Sequence, residues 1–118
     1  MIIPSCKTAA LYAGLSKDEI NKLLDIAKQA AKRGGASLMN NYGRIKTINC
    51  KGTAGDLVTN ADIECEKIII DYLETETPNI SILAEESGYK LKDGELKWCI
   101  DPLDGTTNYA HGYPFFAT

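Results

Sequence analysis

Twice in this chain a short apolar run breaks off into carboxylates. Ile80 to Ala84 leads into Glu85-Glu86-Ser87-Gly88, and Leu96-Lys97-Trp98-Cys99-Ile100 leads into Asp101-Pro102-Leu103-Asp104. Apolar runs of about four to eight residues bounded by turn residues read as buried strands. Pro102 has no amide hydrogen, so the second ladder stops where the acids begin. Two helix signals precede these runs. Ser16-Lys17-Asp18-Glu19 is a capping box, followed by Ile20, Leu23, Leu24, Ala27, Ala30 and Ala31 at helical spacing. Thr59, with Asp62 three residues on, starts another, and Ala61, Cys65, Ile68, Ile69, Tyr72 and Leu73 share one face up to Thr77-Pro78. Interspersed helices and strands imply a layered α/β or α+β domain.

The rest of the chain gives weaker signals. Residues 1–15 show no period and read as an N-terminal extension to a single domain over 16–118. Gly34-Gly35 either ends the first helix or allows a close neighbour while the helix runs on towards Tyr42. Arg44 to Lys51 alternates enough for a strand, Gly52 to Asp56 reads as a loop, and Tyr89 to Glu95 as a polar turn. The chain breaks off at Phe115-Phe116-Ala117-Thr118, in what reads as the opening of a further strand. Such an end leaves apolar residues and backbone groups without partners, so the sequence is expected to be the N-terminal part of a longer domain.

Composition removes several classes of function. With 118 residues there is room for at most one domain, since domains usually run about 100–150 residues. A net charge of −3 and few aromatics argue against nucleic-acid binding, which shows a basic stripe. No run approaches the roughly 18 apolar residues of a spanning helix, so no membrane association is expected. No basic leader with a long apolar stretch opens the chain. Cys6, Cys50, Cys65 and Cys99 lack close pairing and His111 is the single histidine, which argues against zinc. Cys65 and Cys99 fall in apolar patterns that suit buried, reduced thiols in a cytoplasm.

Carboxylates placed where strands emerge put hard oxygen ligands on a rigid rim. Pro102 turns the chain so that Asp101 and Asp104 can converge, and the Leu103 carbonyl adds a neutral oxygen. Such a set suits Mg²⁺, which fills the rest of its shell with water and phosphate. Gly105-Thr106-Thr107 offers close backbone approach and amide donors for that phosphate. Each fragment alone has a plainer reading: Asp62 complements a helix dipole, Glu85-Glu86 is a solvated turn, and Asp-Pro-x-Asp-Gly is a turn signal. Trp98 reads as core packing, His111 as a loop residue, and Lys51 as either solvated or facing the anionic site.

Taken together, Gly55-Asp56-Leu57-Val58-Thr59-Asn60-Ala61-Asp62, Leu83-Ala84-Glu85-Glu86-Ser87 and Trp98-Cys99-Ile100-Asp101-Pro102-Leu103-Asp104-Gly105-Thr106-Thr107-Asn108-Tyr109 resemble the inositol monophosphatase family in order and spacing. The resemblance runs over about residues 16–118. It implies a layered α/β sandwich, here incomplete, and Mg²⁺-dependent, lithium-sensitive hydrolysis of a small phosphorylated substrate by a homodimer. It also implies residue roles. Glu85, Asp101 and the Leu103 carbonyl would hold one metal, and Asp101 and Asp104 a second. Gly105 and Thr106, beside Leu103 and Asp104, would contact substrate. Thr106, paired with Asp62 or Glu85, would orient the attacking water. The family's later Trp-Asp-x-Ala-Ala-Gly-type segment is absent from these residues, so the 118-residue chain itself is expected to be inactive. Inositol monophosphate is the simplest substrate the resemblance implies. Histidinol phosphate, a 3′-phosphonucleotide or a sugar bisphosphate, or an inactive metal-binding module, remain open.

Overall fold

In the computed structural model residues 14–50 and 57–118 are described. The expected extension at 1–15, the Gly52 to Asp56 loop and Lys51 therefore lie wholly or mainly outside the described residues. The elements run α1 (Lys17–Asn41), β1 (Ile48–Cys50), β2 (Leu57–Thr59), α2 (Asn60–Glu76), β3 (Ser81–Ala84), β4 (Gly88–Lys90), β5 (Lys97–Ile100) and α3 (Thr106–Ala110).

Both capping boxes form as the sequence implies. Ser16 Oγ accepts from the Glu19 amide at 3.2 Å while the Ser16 amide donates to Glu19 at 2.7 Å. The same reciprocal pair joins Thr59 and Asp62 at the start of α2. α1 does not stop at the glycine pair but continues to Asn41. The reason is packing. A Cβ on Gly34 would sit 2.7 Å from Ile69 Cδ1 and 3.0 Å from Cys65 Sγ. The bare backbone therefore lets α2 press against α1. The buried stripe of α1 is Ile26, Ala30, Gly34, Ser37 and Leu38, rotated from the apolar spacing, so Leu24 is left 49% exposed. α2 buries Ala61, Asp62, Cys65, Glu66, Ile69, Ile70 and Leu73.

The strands form two small sheets. β1 and β2 pair antiparallel; in the second sheet β3 lies between antiparallel β4 and parallel β5. The expected strand over 44–51 shortens to three residues. Part of the polar stretch after Ser87 is strand rather than turn: β4 borrows its ladder from β3 despite lacking an apolar pattern of its own. Of the buried strand expected over Ile80 to Ala84, Ser81, Ile82 and Ala84 are buried, whereas Leu83 points outward and is exposed. Cys99 is exposed, contrary to the buried thiol implied by its apolar run, because β5 turns Lys97 and Cys99 outward and Trp98 and Ile100 inward. Trp98 also donates from its indole N–H to Thr77 Oγ1 at 2.9 Å, so it ties β5 to the end of α2. Asp104 and Ala117 form an isolated antiparallel bridge, in place of the strand expected over the terminal aromatic run.

Candidate active site

The two acid-bearing strands run parallel and side by side. Their register pairs Ala84 with Ile100, and the Glu85 amide extends the ladder by donating to the Ile100 carbonyl at 3.3 Å. Glu85 and Asp101 therefore occupy the next positions on neighbouring strands, at the carboxyl edge where α/β sheets place their ligands. Hydrogen bonds shape the turn after β5. Asp101 Oδ1 accepts from the Leu103 amide at 3.2 Å, an Asx turn around Pro102. Pro102 and Leu103 are buried while Asp101 and Asp104 face outward. The Asp104 backbone is held at both ends by Ala117, its N–H donating at 2.8 Å and its C=O accepting at 3.1 Å.

Thr106 begins α3, behind Gly105 at φ +84°. A Cβ on Gly105 would lie 3.0 Å from the Phe115 carbonyl, so both backbone angle and space exclude a side chain. Thr106 Oγ1 lies 3.1 Å from Asp62 Oδ1 and 3.0 Å from the Leu103 carbonyl oxygen, and its one proton is shared between these acceptors. Of the two partners expected for Thr106, Asp62 is in hydrogen-bond contact with it. Asp62 is 1% exposed, and its other oxygen accepts from the Thr59 N–H at 2.8 Å and the Thr59 hydroxyl at 2.6 Å. These bonds offset the cost of burying a carboxylate. Tyr109 anchors α3 from beneath: its hydroxyl donates to the Leu38 carbonyl at 2.6 Å and its ring meets Tyr42 and Phe116 edge-on. Burial raises the Tyr109 phenol to about 12, with the Asp62 charge acting the same way.

One turn of α2 reaches three parts of the rim. Asp62 holds Thr106. The Cys65 thiol donates to the Pro102 carbonyl at 3.1 Å, between the two aspartates. Glu66 accepts from the amides of Glu86 and Ser87 at 2.7 and 2.8 Å, just past Glu85. Burial pushes the Cys65 thiol up to about 11, outweighing the Thr118 hydroxyl nearby that lowers it. The sequence reading missed Glu66 and the part played by Cys65. The available signal was a carboxylate at position 66 on the buried stripe between Cys65 and Ile69, where a charged group needs a reason.

The donors suit a hard divalent cation: carboxylates on Glu85, Asp101 and Asp104, and a Leu103 carbonyl that keeps one lone pair after Thr106. Among the described residues no three His, Cys, Asp or Glu side chains are gathered to hold an ion. His111 is exposed and stays local, its Nδ1 2.7 Å from the Thr107 carbonyl.

The inositol monophosphatase family model matches residues 19–118. An inositol-1-monophosphatase of Synechocystis is 44% identical over 108 residues, covering 91% of this chain and 38% of its own length. The crystal structure of the extragenic suppressor protein suhB from Bartonella henselae superposes with a TM-score of 0.74 at 40% identity, covering 80% of this chain and 37% of that one. An IMPase/NADP phosphatase solved with Mg²⁺ and phosphate is 25% identical at a TM-score of 0.63, covering 84% of this chain and 37% of that one. The chain thus spans little more than a third of the length of the relatives it matches. With the ordered acid segments, the paired strand ends and the full-width family match in agreement, the chain belongs to the inositol monophosphatase family.

Proposed function

We propose that these residues are the N-terminal part of a single-domain, Mg²⁺-dependent phosphomonoesterase whose simplest substrate is an inositol monophosphate. The observation that carries the reading is the contact of Thr106 with Asp62 beside the register-adjacent Glu85 and Asp101. Glu85, Asp101, Asp104 and the Leu103 carbonyl would hold the cation. Bound Mg²⁺ supplies a lowered water pKa and neutralises charge on the phosphoryl oxygens. The chain's own residues do the rest. With its proton turned to Asp62, Thr106 Oγ1 presents its lone pairs outward to accept from, and so aim, the attacking water. Gly105 lets the backbone come close to a phosphate, and its amide and that of Thr106 would donate to it, beside Leu103 and Asp104.

The full-length protein is read as a homodimer in the cytoplasm, acting on small phosphorylated molecules without nucleic-acid or membrane partners. No helix among the described residues is long and apolar enough to cross a membrane. The test is phosphate release by the full-length protein from inositol monophosphate, histidinol phosphate, a 3′-phosphonucleotide and a sugar bisphosphate, with Mg²⁺, with chelator and with added lithium. Release that needs Mg²⁺ and falls with lithium is expected, strongest on inositol monophosphate; preference for another ester reassigns the substrate. No Mg²⁺-dependent release from any of them sinks the enzyme reading and leaves a metal-binding module. In the same assay Thr106→Ala is expected to lower kcat by about 10²–10⁴-fold.

A further inference from the structure

Glu66 is a buried acid that the proposed chemistry leaves unused. It lies one helical turn after Asp62 and is 3% exposed. Among the described residues the ion pairs are Lys67–Asp71 and Lys90–Glu74, so no cation compensates it there. Instead each of its two oxygens takes one backbone N–H, Glu86 at 2.7 Å and Ser87 at 2.8 Å. A buried carboxylate without such bonds would cost several kcal/mol, on the order of its desolvation. Its partners are the two amides that follow Glu85 in the three-residue link from β3 to β4. That link closes on Gly88 at φ +84°, and the Ala84–Gly88 pair begins the ladder beyond it.

We propose that Glu66 is a positioning residue for the cation: by clamping the β3–β4 turn to α2 it fixes where Glu85 stands relative to Asp101. The proposal rests on the reading that Glu85 and Asp101 share a metal. The clamp lies one residue past Glu85, while the β5 ladder holds Glu85 from its own amide. The backbone of Glu85 is thus fixed on both sides before any ion arrives. Residues that orient metal ligands from behind typically change affinity about 10–100-fold when altered.

The experiment uses full-length protein with Mn²⁺ as probe, free ion being counted by electron paramagnetic resonance. Glu66→Gln keeps the shape but sets an NH₂ group against one of the two amides. It is expected to weaken Mn²⁺ binding by about 10–100-fold and to speed hydrogen exchange at the Glu86 and Ser87 amides. Ser16→Ala, which loosens the distant α1 cap, is expected to lower the melting temperature and leave Mn²⁺ affinity alone. This separates positioning from general destabilisation. Wild-type Mn²⁺ affinity in Glu66→Gln, alongside a loss in Glu85→Gln, overturns the role of Glu66. Wild-type protein that fails to bind Mn²⁺ overturns the shared-metal reading itself. If Glu66→Gln does not fold, Glu66→Asp carries the same comparison: its shorter arm should weaken binding, and unchanged affinity refutes the clamp.

Discussion

At the scale of single residues, Cys65 shows how a small neutral side chain can brace a loop. Its thiol donates to the carbonyl of Pro102, in a buried stretch between two exposed aspartates. Cys65→Ala removes that donor and is expected to cost about 1–3 kcal/mol of stability, read from chemical denaturation. Cys65→Ser, which keeps a donor, should recover part of it. The same thiol predicts a pH effect. Its folded pKa is raised from 9.0 to about 11, so its contribution to stability is complete below about pH 9 and is lost as pH climbs to about 11. Tyr109, raised from 10.0 to about 12, acts in the same direction over a slightly higher range. Denaturation midpoints should therefore fall between about pH 8 and about pH 10.5 in wild type, and the fall should be shallower in Cys65→Ala. The contact of Thr106 with Asp62 was one of two pairings legible at this scale, because ordered motifs surround both residues. Glu66 was overlooked: its place on the apolar stripe was its one signal, and an acid among helical residues is easily taken for part of a wet face.

Among the elements, the helices were the legible part and the strands less so. Ser16 and Thr59 announce their helices because capping chemistry is local and needs no tertiary partner. β4 is different. Its three residues are all exposed, and the ladder to β3 makes it a strand. No period along the chain could reveal that. Gly34 and Gly35 had two open readings, and the structure separates them by environment. Gly34→Ala forces a methyl against Ile69 and Cys65 and is expected to destabilise by about 1–3 kcal/mol. Among the described residues Gly35→Ala meets nothing nearer than Thr118 Cγ2 at 3.9 Å, so the gain in helix propensity, about 1 kcal/mol, should dominate. Thermal melts of the two variants should move in opposite directions.

Over the molecule as a whole, the family and the layered class could be read from three separated motifs, but their meeting could not. Only the parallel register of β3 and β5 sets Glu85 beside Asp101. Large apolar side chains remain in solvent: Leu91 at 76%, Phe115 at 74%, Met39 at 64% and Ile63 at 55%. Exposure on that scale marks surface suited to burial against further protein. The 118-residue chain produced alone is therefore expected to melt broadly and self-associate, whereas the full-length protein melts cooperatively; calorimetry and size-exclusion chromatography compare them. A sharp transition of a monomeric 118-residue chain would contradict this. The helical turn that carries Asp62, Cys65 and Glu66 has one more implication, for protein engineers. Because a single helical segment grips Thr106, the aspartate loop and the glutamate hairpin, none of the three can be re-tuned without disturbing the others. Changes in substrate preference should be sought in parts of the protein that this segment does not touch.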